Sequence, residues 1–266
     1  MRIAFIGGGI MAEAIIGGII ESKIAPPSDV NVGEPVEPRR QYLEETYGLT
    51  THSGNLDALE GAGLSVLAVK PQSLPYVLPE LRGKIAPDNT VLSIVAGATM
   101  KTLVDGLGHE SVIRVMPNTP AQIGAGMSVW TASASVPAEA TETTRRILGA
   151  LGEEQYADDE KLIDMATALS ASGPAYVFMF VEALIDAGVY LGMARDVARK
   201  LALQTVLGST QLVKETGRHP ADLKDMVTSP GGTTIEAVRA LEDGGFRAAI
   251  FAAVNAAFEK SKALGS

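Results

Sequence analysis

The chain has 266 residues, 46% of them hydrophobic, enough to bury a sizeable core and to form two domains of ordinary size. A formal net charge of −9 argues against a nucleic-acid surface, which needs clustered Lys and Arg. The absence of cysteine excludes disulfides, thiol catalysis and thiolate metal sites, and a cytoplasmic location is the simplest fit.

Met1-Arg2-Ile3-Ala4-Phe5-Ile6 runs straight into glycines, which suits a strand rather than a signal peptide. Strands are predicted at Arg2–Ile6, Val30–Gly33, Leu64–Val69, Thr90–Val95 and Val112–Met116. Their Val, Ile and Leu runs lack polar alternation, as expected of strands buried on both faces. Helical segments lie between them at Ile10–Lys23, Glu37–Tyr47, Asn55–Glu60, Ser73–Leu81 and Thr99–Leu107. This alternation predicts a mostly parallel sheet with right-handed crossovers. Met127–Ala132, the helix Pro137–Leu151 and Glu153–Ala157 extend the same sheet.

Beyond about Asp158 only helices are expected: Leu162–Leu169, Pro174–Leu191, Ala194–Thr216, Pro220–Val227, Thr233–Glu242 and Phe246–Leu264. The division predicted is a dinucleotide-binding domain at 1–158 and a helical domain at 159–266. No apolar stretch reaches the roughly 18–20 residues of a membrane helix, so no membrane partner is expected. The later helices are dense in small apolar residues around much of their circumference, as in Ala248–Phe258. Such helices pack against several neighbours, which predicts interlocking with a second chain. His52, His109 and His219 stand at no metal-ligand spacing, and Asp158-Asp159-Glu160 reads as an acidic helix start. No metal site is expected.

Two segments carry chemistry. Gly7, Gly9 and Ala12 occupy the small positions of a Gly-x-Gly-x-x-Gly/Ala fingerprint, after a strand and before a long apolar helix. That context suits a dinucleotide pyrophosphate. Glu34 ends the second strand, where an acid binds ribose hydroxyls and favours NADH, yet Arg39 and Arg40 follow and could pair with a 2′-phosphate. The choice between NADPH and NADH stays open at this level. Val69-Lys70-Pro71-Gln72, Ile94-Val95-Ala96-Gly97 and Met116–Pro120 close later strands, where ligands of open α/β sheets collect.

The second segment is Val227-Thr228-Ser229-Pro230-Gly231-Gly232-Thr233-Thr234-Ile235-Glu236, a hydroxyl-rich turn opening into a helix. Free helix-start N–H groups and the helix dipole suit a small carboxylate. The bland alternative is a plain cap, with Gly232 or Thr233 as N-cap and Glu236 completing a capping box, but a cap alone would not need Ser-Pro-Gly-Gly-Thr-Thr. The turn holds no ionisable acid or base, so chemistry there needs little proton transfer.

These residues resemble the pyrroline-5-carboxylate reductase family over essentially the whole chain. The likeness runs through Phe5-Ile6-Gly7-Gly8-Gly9-Ile10-Met11-Ala12, Ala68-Val69-Lys70-Pro71-Gln72 and Arg114-Val115-Met116-Pro117-Asn118-Thr119-Pro120. It continues in Ser172-Gly173-Pro174-Ala175-Tyr176-Val177-Phe178, Glu182-Ala183-Leu184, Asp186-Ala187-Gly188-Val189, His219-Pro220, Leu223-Lys224-Asp225, Leu241-Glu242 and the Ser-Pro-Gly-Gly-Thr-Thr turn. That turn is specific to the family; the glycine fingerprint is not.

The resemblance implies a Rossmann domain followed by an all-helical dimerisation domain, with active sites between two subunits and further assembly up to decamers. It implies reduction of L-1-pyrroline-5-carboxylate to L-proline by NADPH or NADH, the last step of proline synthesis. By position, Ile6, Gly7, Gly8, Gly9, Ile10 and Met11 hold the pyrophosphate. Asn55, Ala68, Val69, Lys70 and Pro71 contact the cofactor, and Ile94, Val95 and Ala96 border the nicotinamide. Ser229, Gly231, Gly232, Thr233 and Thr234 bind the substrate, with Thr234 the catalytic candidate nearest its ring nitrogen. Glu34 departs from members with a small polar residue there.

Rival readings remain. A β-hydroxyacid dehydrogenase would use a lysine on the long interdomain helix, and Pro174–Leu191 has none. A reductase of a six-membered cyclic imine and a non-catalytic nucleotide-binding protein of the same fold are the alternatives.

Overall fold

In the computed structural model, which describes residues 1–265, eight strands form one sheet. They are β1 (Ile3–Ile6), β2 (Val30–Gly33), β3 (Thr50–His52), β4 (Leu64–Leu67), β5 (Thr90–Ser93), β6 (Val112–Met116), β7 (Gly126–Ala132) and β8 (Gly152–Tyr156). Their order is β3-β2-β1-β4-β5-β6-β7-β8, parallel throughout except for the antiparallel β6–β7 pair. The central strand β1 is buried along its whole length between β2 and β4, with Ile3 opposite both Val30 and Leu64. An unbroken apolar run is what a strand covered on both faces requires.

Helices α1 (Ile10–Glu21), α2 (Glu37–Tyr47), α3 (Asn55–Leu59), α4 (Leu74–Leu81), α5 (Met100–Leu107), α6 (Ala138–Ala150) and α7 (Lys161–Ala166) accompany the sheet. Helix α1 buries Ala12, Ile15, Ile16 and Ile19, one helical stripe, in the same core as Phe5 and Val32. A second core gathers Ile6 and Leu67 with Leu78, Leu81 and Leu103 of α4 and α5. Helix α5 starts on Thr99, whose hydroxyl accepts from the Thr102 N–H, and stops at Gly108 in the left-handed region.

Three features depart from expectation. Strand β3 was unforeseen because Thr50-Thr51-His52 is polar; it pairs only with β2 at the sheet edge. The strands expected to reach Val69 and Val95 end at Leu67 and Ser93, so Ala68–Pro71 and Ile94–Gly97 are loops. The third concerns the apolar run after Asp158. Helix α7 continues through a π-helical turn (Thr167–Ala171) into α8 (Gly173–Tyr190), and Lys161–Tyr190 is long and apolar enough, by length and composition, to cross a membrane. The Gly173-Pro174 pair reads as a helix start in sequence, whereas the wide turn carries the helix through it.

Buried Arg114 on β6 ties this unit together. It pairs with Glu160 at 2.6 Å and with Asp164 at 3.1 Å. Glu160 also accepts the Met100 N–H that opens α5, and Asp164 accepts the Ser261 hydroxyl. One guanidinium thus links β6, α5, α7 and the chain's last helical turns.

The compact units are Met1–Ser172 with Ala256–Ser266, and Gly173–Asn255. The boundary lies beyond 158 because Ile163 and Ala166 of α7 pack with Met116 and Val129 of the sheet. The second unit holds α8, α9 (Arg195–Thr216), α10 (Pro220–Met226), α11 (Thr233–Asp243) and the first half of α12 (Phe246–Gly265). Helices α8 and α9 approach closely at Gly188, where a Cβ would stand 2.8 Å from the Ala198 Cβ. Among the described residues of this unit only Ala198 and Ala202 are buried. Phe178, Met179 and Phe251 are 63%, 70% and 78% exposed.

Candidate cofactor and substrate sites

The carboxyl ends of β1, β2, β4 and β5 converge on the glycine turn. The Gly7 N–H donates to the Gly33 carbonyl at 2.8 Å, and the Ala68 N–H donates to the Ile6 carbonyl at 2.9 Å. Gly7 has φ +98°, and a Cβ there would lie 2.9 Å from the Ala68 carbonyl oxygen. Packing alone therefore demands glycine at this position. Gly9 is different: its φ is ordinary and a Cβ would meet nothing of the chain within 4 Å. The chain's own packing leaves that glycine unexplained, while a phosphate lying on the backbone would explain it. Gly9 is also the N-cap of α1 without a side-chain cap, so the helix start keeps its donors and positive dipole end for an anion. The residues present thus fit a dinucleotide pyrophosphate.

Of the other residues predicted to meet the cofactor, Ile10 is exposed at the first turn of α1 and Met11 is partly buried behind it. The side chains of Ile6 and Val95 are buried in the core. Asn55 opens α3 against the end of β2; a Cβ on Gly33 would sit 3.0 Å from its Cα. Ala68 and Val69 lead to exposed Lys70 and Pro71, where a 3₁₀ turn begins. Ile94 and Ala96 are half-buried beside Gly97.

Gly97 has φ +76°, and a Cβ there would stand 2.7 Å from the Leu264 Cβ. The chain's last helical turn therefore backs the Ile94–Gly97 loop, a contact no local pattern foretells. A second unforeseen group surrounds Glu13 in the first turn of α1. Its carboxylate takes hydrogen bonds from Arg39, Tyr42 and Tyr47. Burial opposes its ionisation, but the bonds from Arg39 and Tyr42 and the Arg39 charge outweigh burial and hold its pKa below the usual value. Burial, the Glu13 charge and their hydrogen bond together push Tyr47 up to about 12. An acid one residue past the fingerprint's Ala12 was the available signal.

The second candidate site belongs to the helical unit. Ser229 through Gly232 form the turn before α11, which opens on Thr233 and Thr234; Gly231 has φ +65° and the Gly232 N–H donates to the Ser229 carbonyl at 3.0 Å. A Cβ on Gly232 would fall 2.3 Å from the Ser229 Oγ, so the hydroxyl lies directly over that residue. Gly232 is the N-cap, again without a side-chain cap. The capping box of the alternative reading does not form; Glu236 instead faces Arg239 at 3.4 Å. Thr234 is half-buried in the first turn of α11. Among the described residues no group of His, Cys, Asp and Glu could hold a metal ion.

The family model for pyrroline-5-carboxylate reductase dimerisation matches residues 160–264, and that for NADP oxidoreductase, coenzyme F420-dependent, matches residues 2–97. A pyrroline-5-carboxylate reductase from Synechocystis sp. is 46% identical over 265 residues, covering 100% of this chain and 98% of the relative. The enzyme of that name from Escherichia coli K12 is 44% identical over 99% of this chain and 98% of its own. Among solved structures, Plasmodium falciparum pyrroline carboxylate reductase with NADP bound superposes with a TM-score of 0.92 at 33% identity, over 100% of this chain and 98% of that one. With identities of this size along its full length, the chain belongs to the pyrroline-5-carboxylate reductase family.

Proposed function

We propose that the protein reduces L-1-pyrroline-5-carboxylate to L-proline with NADPH or NADH, the final step of proline synthesis, as a homo-oligomer. On this reading the sheet unit, Met1–Ser172 with the chain's last helical turns, binds the dinucleotide, and the helical unit, Gly173–Asn255, serves substrate binding and dimerisation. The observation that carries the substrate reading is the start of α11. It has an N-cap, Gly232, with no side chain to fill it and the Ser229 hydroxyl lying over that same glycine. Such a helix start binds a carboxylate through its N–H groups and dipole.

A bound reduced nicotinamide would supply the hydride that the C=N carbon accepts (C2 of the pyrroline ring, C5 of proline), the π electrons passing to nitrogen. What the chain supplies is position. Gly231, Gly232 and Thr233 hold the substrate carboxylate, Ser229 adds a hydroxyl donor, and Thr234 hydrogen-bonds and orients the ring nitrogen. The nitrogen's proton comes from solvent as the iminium forms, so the turn requires no ionisable acid. Gly7–Met11 hold the pyrophosphate, Asn55 and Ala68–Pro71 flank the cofactor, and Ile94–Ala96 border the nicotinamide. Orientation of two reactants is a large share of catalysis when the electrophile is already activated.

The exposed apolar faces of α8 and α12 support a dimer with the active site between subunits, since the matched family model is a dimerisation domain. Apolar Lys161–Tyr190 is on this reading covered by a second chain rather than by lipid, and the enzyme works in the cytoplasm. The test is to follow oxidation of NADH and NADPH separately with pyrroline-5-carboxylate and with its six-membered analogue. Turnover favouring the five-membered ring supports the reading. Faster turnover of the six-membered ring, or cofactor binding without imine-dependent oxidation, overturns it.

A further inference from the structure

We infer that this chain selects against a 2′-phosphate and prefers NADH, with Glu34 as the specificity-determining residue; the inference rests on the glycine turn being the cofactor site. A network of fixed charges at the end of β2 carries it. The Glu34 N–H donates to the His52 carbonyl at 2.9 Å, which anchors its backbone. Its carboxylate accepts the Gly8 N–H through one oxygen and the Val36 N–H through the other, each at 2.9 Å. A charged acceptor held by two backbone donors does not swing away cheaply. The acid therefore stands on the glycine turn itself.

Two arginines follow that could reverse this preference, and both are engaged. The Arg39 Nε donates to the Gly8 carbonyl at 2.6 Å, and its Nη2 pairs with Glu13 at 2.5 Å. Its guanidinium lies 5.0 Å from the centre of the Tyr42 ring. Ionised Glu13 thus balances the Arg39 charge in place. The Arg40 Nη1 donates to the carbonyls of Glu34 and Pro35 at 2.8 and 3.0 Å. A ligand group arriving here meets the Glu34 carboxylate, with Glu13 and Arg39 neutralising each other and the Arg40 guanidinium bridging backbone carbonyls. A ribose hydroxyl can donate to the Glu34 carboxylate, whereas a phosphate has only acceptors and carries roughly −1.5 to −2 charges near neutral pH. The corner rewards the hydroxyl and repels the phosphate.

The test is equilibrium binding to the intact enzyme with no imine present, read by calorimetry or nicotinamide fluorescence. Wild type is expected to bind NADH at least about tenfold more tightly than NADPH. It should likewise prefer adenosine 5′-monophosphate to adenosine 2′,5′-bisphosphate, which isolates this end of the cofactor. Glu34→Ser, checked for native circular dichroism, is expected to shrink or reverse the preference by about tenfold, since it frees the Gly8 N–H and removes the repelling charge. NADPH binding as tightly as NADH to wild type overturns the inference, as does an NADH preference that survives in Glu34→Ser. Failure to bind either dinucleotide sinks the cofactor reading beneath it, a distinguishable result.

Discussion

The sheet unit and the helical unit solve the same problem in opposite ways. The first covers both faces of β1 with its own helices and buries even an arginine inside a network of its own carboxylates. The second has two buried alanines and a row of large apolar side chains facing outward. A groove of about 500 Å³ on it is lined by Met179, Phe180 and Leu184 of α8 and by Phe246 and Ile250 of α12. Apolar surface on this scale is uncommon on a monomer and marks a docking face. The first unit is therefore complete in one chain, and the second is completed by another copy.

That contrast can be broken most forcefully from the first unit. Arg114→Ala removes the common partner of Glu160 and Asp164 and is expected to cost about 3–5 kcal/mol in urea unfolding, the range for breaking a buried ion pair. A loss below 1 kcal/mol would mean that the network does not hold β6, α5 and α7 together. From the second unit, Met179→Glu places a charge in the proposed contact. It should raise the dimer dissociation constant about 100-fold or more, combining the lost burial of a large apolar side chain with an uncompensated charge. Mass in solution checks this; unchanged assembly would assign the α8 face another role.

The two candidate sites separate in a third variant. Thr234→Ala should lower kcat/KM by about 1–3 kcal/mol, the range for a lost polar partner, while leaving the Kd for NADH unchanged. An unaltered kcat/KM removes Thr234 from the mechanism. The smallest effect concerns Glu13. Its pKa is lowered in the folded protein, so its stabilising contribution is present above its ordinary value of 4.5 and is lost as pH falls through the depressed one. Glu13→Gln should therefore be less stable than wild type at neutral pH, with the gap closing below about 4.5. A gap independent of pH would show that shape rather than charge matters at this position.

Most of the sheet was legible because buried parallel strands are written as short Val, Ile and Leu runs between helical segments. Edge strand β3 was not, since three polar residues paired on one side carry no hydrophobic signal. The glycine turn was readable as a motif, yet Gly7 and Gly9 serve different ends that only the surrounding atoms separate. One is demanded by the neighbouring Ala68 carbonyl, the other by nothing in the chain. The Ser229–Thr234 turn stood out by its composition, although the capping box its Glu236 suggested gave way to a pair with Arg239. Contacts such as Gly97 with Leu264 or Arg114 with Asp164 join residues far apart in the chain, and no local pattern encodes them.

The most direct measurement is a crystal structure of the enzyme with L-proline and oxidised cofactor bound together. The account predicts the amino-acid carboxylate on the backbone N–H groups of Gly232 and Thr233, with the ring nitrogen beside the Thr234 hydroxyl and C5 facing the nicotinamide. Proline seated elsewhere, with the start of α11 unengaged, would contradict it.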